Sequence, residues 1–165
     1  MRRLSAAGSD VHLSEGLALR RQRHHVLVMV EENPKESAPL ATIDVAGNRL
    51  TLLSGGPARL DALIALIEGA ASSLRLLYYI FLDDESGIRV RDALVEAARR
   101  GVKVSLLVDG FGSTTNRDFL QPFIESQIRF CRFSPKYGRR YLLRNHQKLA
   151  LADEVRVIIG GFNVS

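Results

Sequence analysis

Apolar residues change period repeatedly along this chain, and each change marks an element. Residues 48–53 read as a short strand closed by Ser54-Gly55-Gly56-Pro57. Residues 59–71 then place Leu60, Leu63, Ile64 and Ile67 at helical spacing. Residues 74–82 form a continuous apolar run containing Tyr78, Tyr79 and Phe81, the pattern of a strand buried on both faces. A polar turn at 83–87 leads to a predicted helix over 90–100, with Leu94, Ala97 and Ala98 on one side and Gly101 as its stop. Residues 102–108 are again strand-like and run into the glycine-rich loop Asp109-Gly110-Phe111-Gly112-Ser113. A short helix over 118–125, interrupted near Pro122, precedes a strand over 128–133. Residues 147–152 and 155–159 read as a hairpin around Asp153-Glu154. Strands alternating with helices imply right-handed crossovers. The expected fold is α/β, a mixed and mostly parallel sheet flanked by helices.

Residues 1–40 lack this regularity. They contain the basic run Arg20-Arg21-Gln22-Arg23-His24-His25 and the linker-like Asn33-Pro34-Lys35-Glu36-Ser37-Ala38-Pro39. They are expected to form a basic, partly disordered arm and linker ahead of a single folded domain over 41–165. His24 and His25 are adjacent and so lack the spacing of two ligands on one face of an element. The apolar run at 26–30 is too short to cross a bilayer, and the N-terminal residues lack the apolar segment of a secretion signal. The single cysteine, Cys131, has no internal disulfide partner and is expected to be a core or edge thiol.

Charge sharpens the picture at one place. The chain carries a net charge of +5. Residues 134–148 alone hold Lys136, Arg139, Arg140, Arg144 and Lys148 with no acidic residue. Such a focused positive potential suits an anionic substrate or surface, whether phospholipid headgroups or nucleic acid.

That basic stretch runs into the chemistry-bearing segment. On a strand, His146, Lys148 and Ala150 share one face, while Gln147, Leu149 and Leu151 share the other. The leucine-bearing face is expected to be core, leaving an imidazole and an ammonium side by side on the open one. Asp153 falls in the turn, where it would orient rather than react. Gly160 and Gly161 end the following strand and permit close backbone approach to a ligand. Asn163 supplies an amide that can donate to a phosphoryl oxygen.

Together these residues spell H-x-K-x4-D-x6-G-G-x-N, with His146, Lys148, Asp153, Gly160, Gly161 and Asn163 at the defined positions. The pattern resembles the signature of the phospholipase D superfamily. From about residue 47 onward the chain is similar to the N-terminal half of a bacterial cardiolipin synthase. Tyr78-Tyr79-Ile80-Phe81, residues 97–104, the loop at 109–113 and Arg144-Asn145-His146 carry that similarity. Leu77 departs from it, since relatives often have a glutamate before the tyrosine pair.

The resemblance implies phosphodiester transfer through a phosphohistidine, with neither metal nor organic cofactor. Two such motifs build one site, in which one histidine attacks phosphorus and the other protonates the leaving oxygen. Lysine and asparagine stabilise the nonbridging oxygens. It also implies a phosphatidylglycerol-like donor and a peripheral location on the cytoplasmic side of the bacterial inner membrane. The alternatives are a homodimeric endonuclease or phosphodiesterase acting on nucleic acid, and a catalytically incompetent half that only binds membrane. With one motif in the sequence, the second half is expected from a longer chain of which this is the C-terminally incomplete part, or from a second copy.

Overall fold

The computed structural model describes residues 24–29, 42–113, 116–134 and 146–165. Among these, one eight-stranded sheet is built from β1 (His25–Met29), β2 (Thr42–Val45), β3 (Asn48–Leu53), β4 (Ser73–Tyr78), β5 (Lys103–Asp109), β6 (Arg129–Phe133), β7 (Lys148–Ala152) and β8 (Arg156–Gly160). Its spatial order is β2-β3-β1-β8-β7-β4-β5-β6. Strands β1, β3, β4, β5, β6 and β8 run one way, and β2 and β7 run against them. Three helices accompany the sheet: α1 (Gly56–Glu68), α2 (Glu85–Arg99) and α3 (Arg117–Glu125). The mixed, mostly parallel α/β architecture is the one the hydrophobic pattern predicts.

Several boundaries differ from the sequence expectation for local reasons. Gly56 and Pro57 open α1 rather than close β3, because the fixed φ of proline suits a first helical turn. The strand expected over 74–82 ends at Tyr78. The predicted turn at 83–87 is largely the first turn of α2. Asp84 caps that helix by accepting from the Gly87 amide at 2.8 Å, and a Cβ at Gly87 would lie 1.8 Å from the Leu82 carbonyl oxygen. Pro122 sits inside α3, which runs without a break from Arg117 to Glu125, so the interruption expected there does not occur.

The largest departure is β1. His25–Met29 lies within the segment expected to be an arm, yet it pairs in parallel with both β3 and β8 and so stands inside the sheet. Five residues are too few to reveal by period alone a strand whose partners come from distant sequence. The rest of residues 1–40 falls outside the described residues, apart from His24.

The core lies between the sheet and α1 and α2. Leu63, Leu66 and Ile67 from α1 and Val90, Leu94 and Ala97 from α2 are buried with Leu74, Leu76 and Tyr78 of β4, Leu106 and Val108 of β5, and Ile158 of β8. Burying each large aliphatic side chain contributes on the order of 2 kcal/mol. Phe81, Phe119 and Phe123 extend the cluster toward α3, with ring centroids 5.7 to 6.4 Å apart. Cys131 is an exposed thiol on β6, the edge strand.

The two faces of β7 are reversed relative to the sequence expectation. Ala150 and Ala152 are fully buried, whereas Leu149 and Leu151 are only half-buried. Alanine on the covered face admits α1 close to the sheet, and the helix layer takes the small residues. Burial is therefore decided by which face the helices cover, not by which residues are larger.

Candidate active site

The antiparallel entry of β7 between β4 and β8 decides where the chemistry sits. The start of β7 coincides with the carboxyl ends of β4, β5 and β8. Ligands of open α/β sheets characteristically bind outside the carboxyl ends of parallel strands. His146 immediately precedes β7 and is exposed at that edge, with Lys148 half-buried two residues on. The Tyr79 ring, just past the end of β4, stacks on the His146 imidazole with centroids 4.1 Å apart and planes 20° apart. Lys148 Nζ lies 5.6 Å from the centroid of the same ring, within cation–π range. One tyrosine ring thus contacts both functional heads.

The end of β8 brings the rest of the motif to this edge. Gly160 pairs directly with Lys148 across the hairpin. Beyond it, Val164 donates to the Ile80 carbonyl and Leu82 donates to the Val164 carbonyl, each at 3.1 Å. This short parallel contact draws Asn163 beside the residue after Tyr79. Asn163 Oδ1 accepts from the Ile80 amide at 3.1 Å. Because its oxygen is engaged, the carboxamide presents Nδ2 as its free donor. A Cβ at Gly161 would meet no atom within 4 Å, so the space beside it is open. Gly161 and Asn163 also border a cavity of about 610 Å³ between α1 and α2, where the Arg59 guanidinium carbon sits 3.3 Å over the Phe162 ring.

Asp153 does not join this group. It lies in the turn at the far end of β7, seven residues from His146, or about 20 Å along an extended strand. Its carboxylate accepts from the Ala71, Ser72 and Ser73 amides at 2.7 to 3.2 Å and from Ser72 Oγ at 2.9 Å. It also pairs with Arg156 at 3.1 Å. Arg156 in turn donates to the Gly69 carbonyl at the end of α1, and Arg100 donates to the Ile67 and Glu68 carbonyls. Burial alone would raise the Asp153 pKa. The three amides and the hydroxyl outweigh it and hold the carboxyl well below the usual carboxylate range. The expectation that Asp153 belongs with the catalytic residues is corrected: the turn carries it away from the site, and it staples the α1–β4 turn to the β7–β8 hairpin.

The supporting basic residues Lys136, Arg139, Arg140 and Arg144 lie outside the described residues. Tyr79 is the site residue that the sequence reading passed over as a strand aromatic. Alternation offered a signal, since two consecutive tyrosines at a strand end must diverge. Tyr78 is 1 % exposed and its phenol is pushed up by burial, while Tyr79 turns to the functional edge.

The family described as "Cardiolipin synthase, PLD-like domain" matches residues 63–165. Cardiolipin synthase 1 of Bacillus cereus is 39% identical over 126 residues, which cover 72% of this chain and 25% of that protein. A cardiolipin synthase of Listeria monocytogenes is 37% identical over 128 residues, covering 71% and 25%. The chain therefore spans about a quarter of the length of these curated relatives. Among solved structures, Nuc, a phospholipase D family member from Salmonella typhimurium, superposes with a TM-score of 0.50 at 28% identity, over 66% of this chain and 65% of that one. NucT from Helicobacter pylori gives 0.50 at 26% identity, over 64% and 67%.

Proposed function

This chain belongs to the phospholipase D-like domain family of cardiolipin synthase, and from that premise we propose that it supplies one half of a phosphodiester-transfer site. The observation that carries the reading is the convergence of His146 and Lys148 on one tyrosine ring, with Gly160 and Asn163 drawn to the same sheet edge. An imidazole nitrogen of His146 forms a bond to phosphorus as the bond from phosphorus to the leaving oxygen breaks. A histidine from a second motif gives that oxygen its proton. An acceptor hydroxyl then attacks phosphorus, returns a proton to the second histidine and releases His146. Lys148 Nζ and Asn163 Nδ2 are the donors to the nonbridging oxygens, whose charge is stabilised most when phosphorus is five-coordinate.

The proposed donor is an anionic phospholipid of the phosphatidylglycerol type, and the acceptor is a primary hydroxyl on a second lipid. Similarity to cardiolipin synthases and the basic residues 134–148 support this substrate class. The proposed location, which follows from that substrate class, is peripheral at a membrane surface, on the cytoplasmic side of the bacterial inner membrane. Among the described residues no helix is long and apolar enough to cross a membrane. The sequence contains one H-x-K, so the second motif comes from further chain or from a second copy.

A homodimeric phosphodiesterase acting on nucleic acid is the second reading. It is supported by the structural match to Nuc and NucT.

Acid-free quenching and mass spectrometry of the full chain incubated with phosphatidylglycerol vesicles test the proposal. The expected result is a phosphatidyl adduct on the peptide bearing His146, acid-labile and unaffected by chelator. Turnover that survives His146→Ala, or that vanishes on chelation, overturns it. Faster cleavage of single-stranded DNA than of lipid selects the second reading.

A further inference from the structure

We infer that Tyr79 is a positioning residue for His146, and that the Asp109–Ser113 loop holds Tyr79 in place. The inference rests on the phosphoryl-transfer reading of the site and adds a role that the motif does not contain. Among the described residues, no hydrogen-bonding partner fixes the His146 imidazole. Its defined contact is the face of the Tyr79 ring at 4.1 Å. A nucleophilic histidine commonly has one nitrogen held by a carboxylate or carbonyl. A stacked face works differently, because it fixes the plane of the imidazole and leaves both ring nitrogens unoccupied. The lone pair of the unprotonated nitrogen lies in the ring plane, so stacking constrains the direction of attack without blocking it. The same ring lies under Lys148 Nζ at 5.6 Å, so one side chain sets the spacing of nucleophile and clamp.

That platform is itself built in. Asp109, 1 % exposed at the end of β5, accepts from the Phe111 and Gly112 amides at 2.9 and 3.3 Å and shapes the loop. Ser113, also 1 % exposed, donates its hydroxyl to the Tyr79 carbonyl and accepts from the Phe81 amide, both at 3.0 Å. These bonds fix the backbone on either side of Ile80. Gly112 then lies against the tyrosine. A Cβ there would stand 2.6 Å from the Tyr79 carbonyl oxygen and 3.0 and 3.1 Å from ring carbons Cε2 and Cζ. Glycine at 112 is what lets the ring settle where His146 meets it.

Two readouts on the full chain test this. The first is the proton and carbon NMR spectrum of the His146 ring, assigned by the signals lost in His146→Gln. In the wild-type chain the ring protons are displaced upfield by the tyrosine ring current. Tyr79→Leu removes the displacement, Gly112→Ala reduces it, and Tyr79→Phe keeps it. The second is turnover: Tyr79→Leu lowers kcat by about tenfold to a hundredfold with KM little changed, the loss expected from a nucleophile misplaced by about 1 Å. Tyr79→Phe restores most of it. An unchanged His146 spectrum in Tyr79→Leu overturns the inference. So does a Tyr79→Phe variant as impaired as Tyr79→Leu, which would assign the role to the hydroxyl. Survival of turnover in His146→Ala would instead overturn the phosphoryl-transfer reading, and the NMR result would still decide what Tyr79 does.

Discussion

The two ends of β7 carry residues of one sequence motif and do opposite work. At its start, His146 is exposed, Lys148 is half-buried, and their contacts are with a tyrosine face. At its far end, Asp153 accepts from four donors on three consecutive residues, the Ala71, Ser72 and Ser73 amides and the Ser72 hydroxyl, and pairs with Arg156. The first end keeps its polar heads available for a substrate. The second satisfies its polar heads within the protein. A shared motif therefore does not imply a shared site. A strand of five residues separates the candidate site from a staple that ties the α1–β4 turn to the β7–β8 hairpin.

Breaking one end at a time should separate the two roles. The largest effect is expected for His146→Ala, which lowers phosphodiester turnover by about a thousandfold or more and leaves the melting temperature unchanged, since the side chain is exposed. Lys148→Met, which keeps length and removes charge, should cost about a hundredfold in kcat, the scale of losing one preorganised charge donor. Steady-state kinetics beside thermal melts would check both. Retained kcat in Lys148→Met would remove that residue from transition-state stabilisation.

The far end should respond in the other observable. Asp153→Asn is expected to lose about 2 kcal/mol of stability at pH 7, from weakened charge-assisted bonds, with turnover per folded molecule little changed. Its pH dependence has a definite sign. Folding holds the Asp153 carboxyl below its ordinary value, so its contribution is fully present above pH about 4 and declines as pH falls further. Urea denaturation of both proteins should show a gap that narrows below pH 4. A gap that is constant with pH would detach the staple from ionisation. The smallest effect is expected for Tyr78→Phe. The Tyr78 hydroxyl is buried without a hydrogen-bonding partner among the described residues, so its removal should be neutral or stabilising by up to about 1 kcal/mol. The contrast with Tyr79→Leu would show how differently two adjacent tyrosines serve the fold.

Much of this was legible from residue pattern. The strand at 48–53 was placed correctly, and β5, α2, α3 and the β7–β8 hairpin shifted only at their ends, because period and punctuation are local properties. The helix start at Gly56 and the capped turn at Asp84 were misread, because Gly-Pro and Asp-Asp-Glu-Ser can close one element or open the next. The burial of Ala150 ahead of Leu149 was also misread, since residue size does not reveal which face a helix covers. For the site, the residue types and spacing identified His146, Lys148, Gly160 and Asn163 as candidates. Tyr79 and Gly112 remained hidden, because their relation to His146 exists only across three strands.

By itself, the sequence determined the class of fold and the residues able to carry phosphoryl chemistry, because those follow from local periodicity and from a contiguous pattern of reactive groups. Tertiary structure alone decided which of those residues meet. It inserted β1, β8 and β7 between β3 and β4, gathered His146, Lys148, Gly160 and Asn163 at one sheet edge, and sent Asp153 to the other. The physical reason is direction. In a strand about 3.3 Å of length separates successive residues, so chain neighbours are carried apart while antiparallel pairing brings the start of β7 to the ends of β4, β5 and β8.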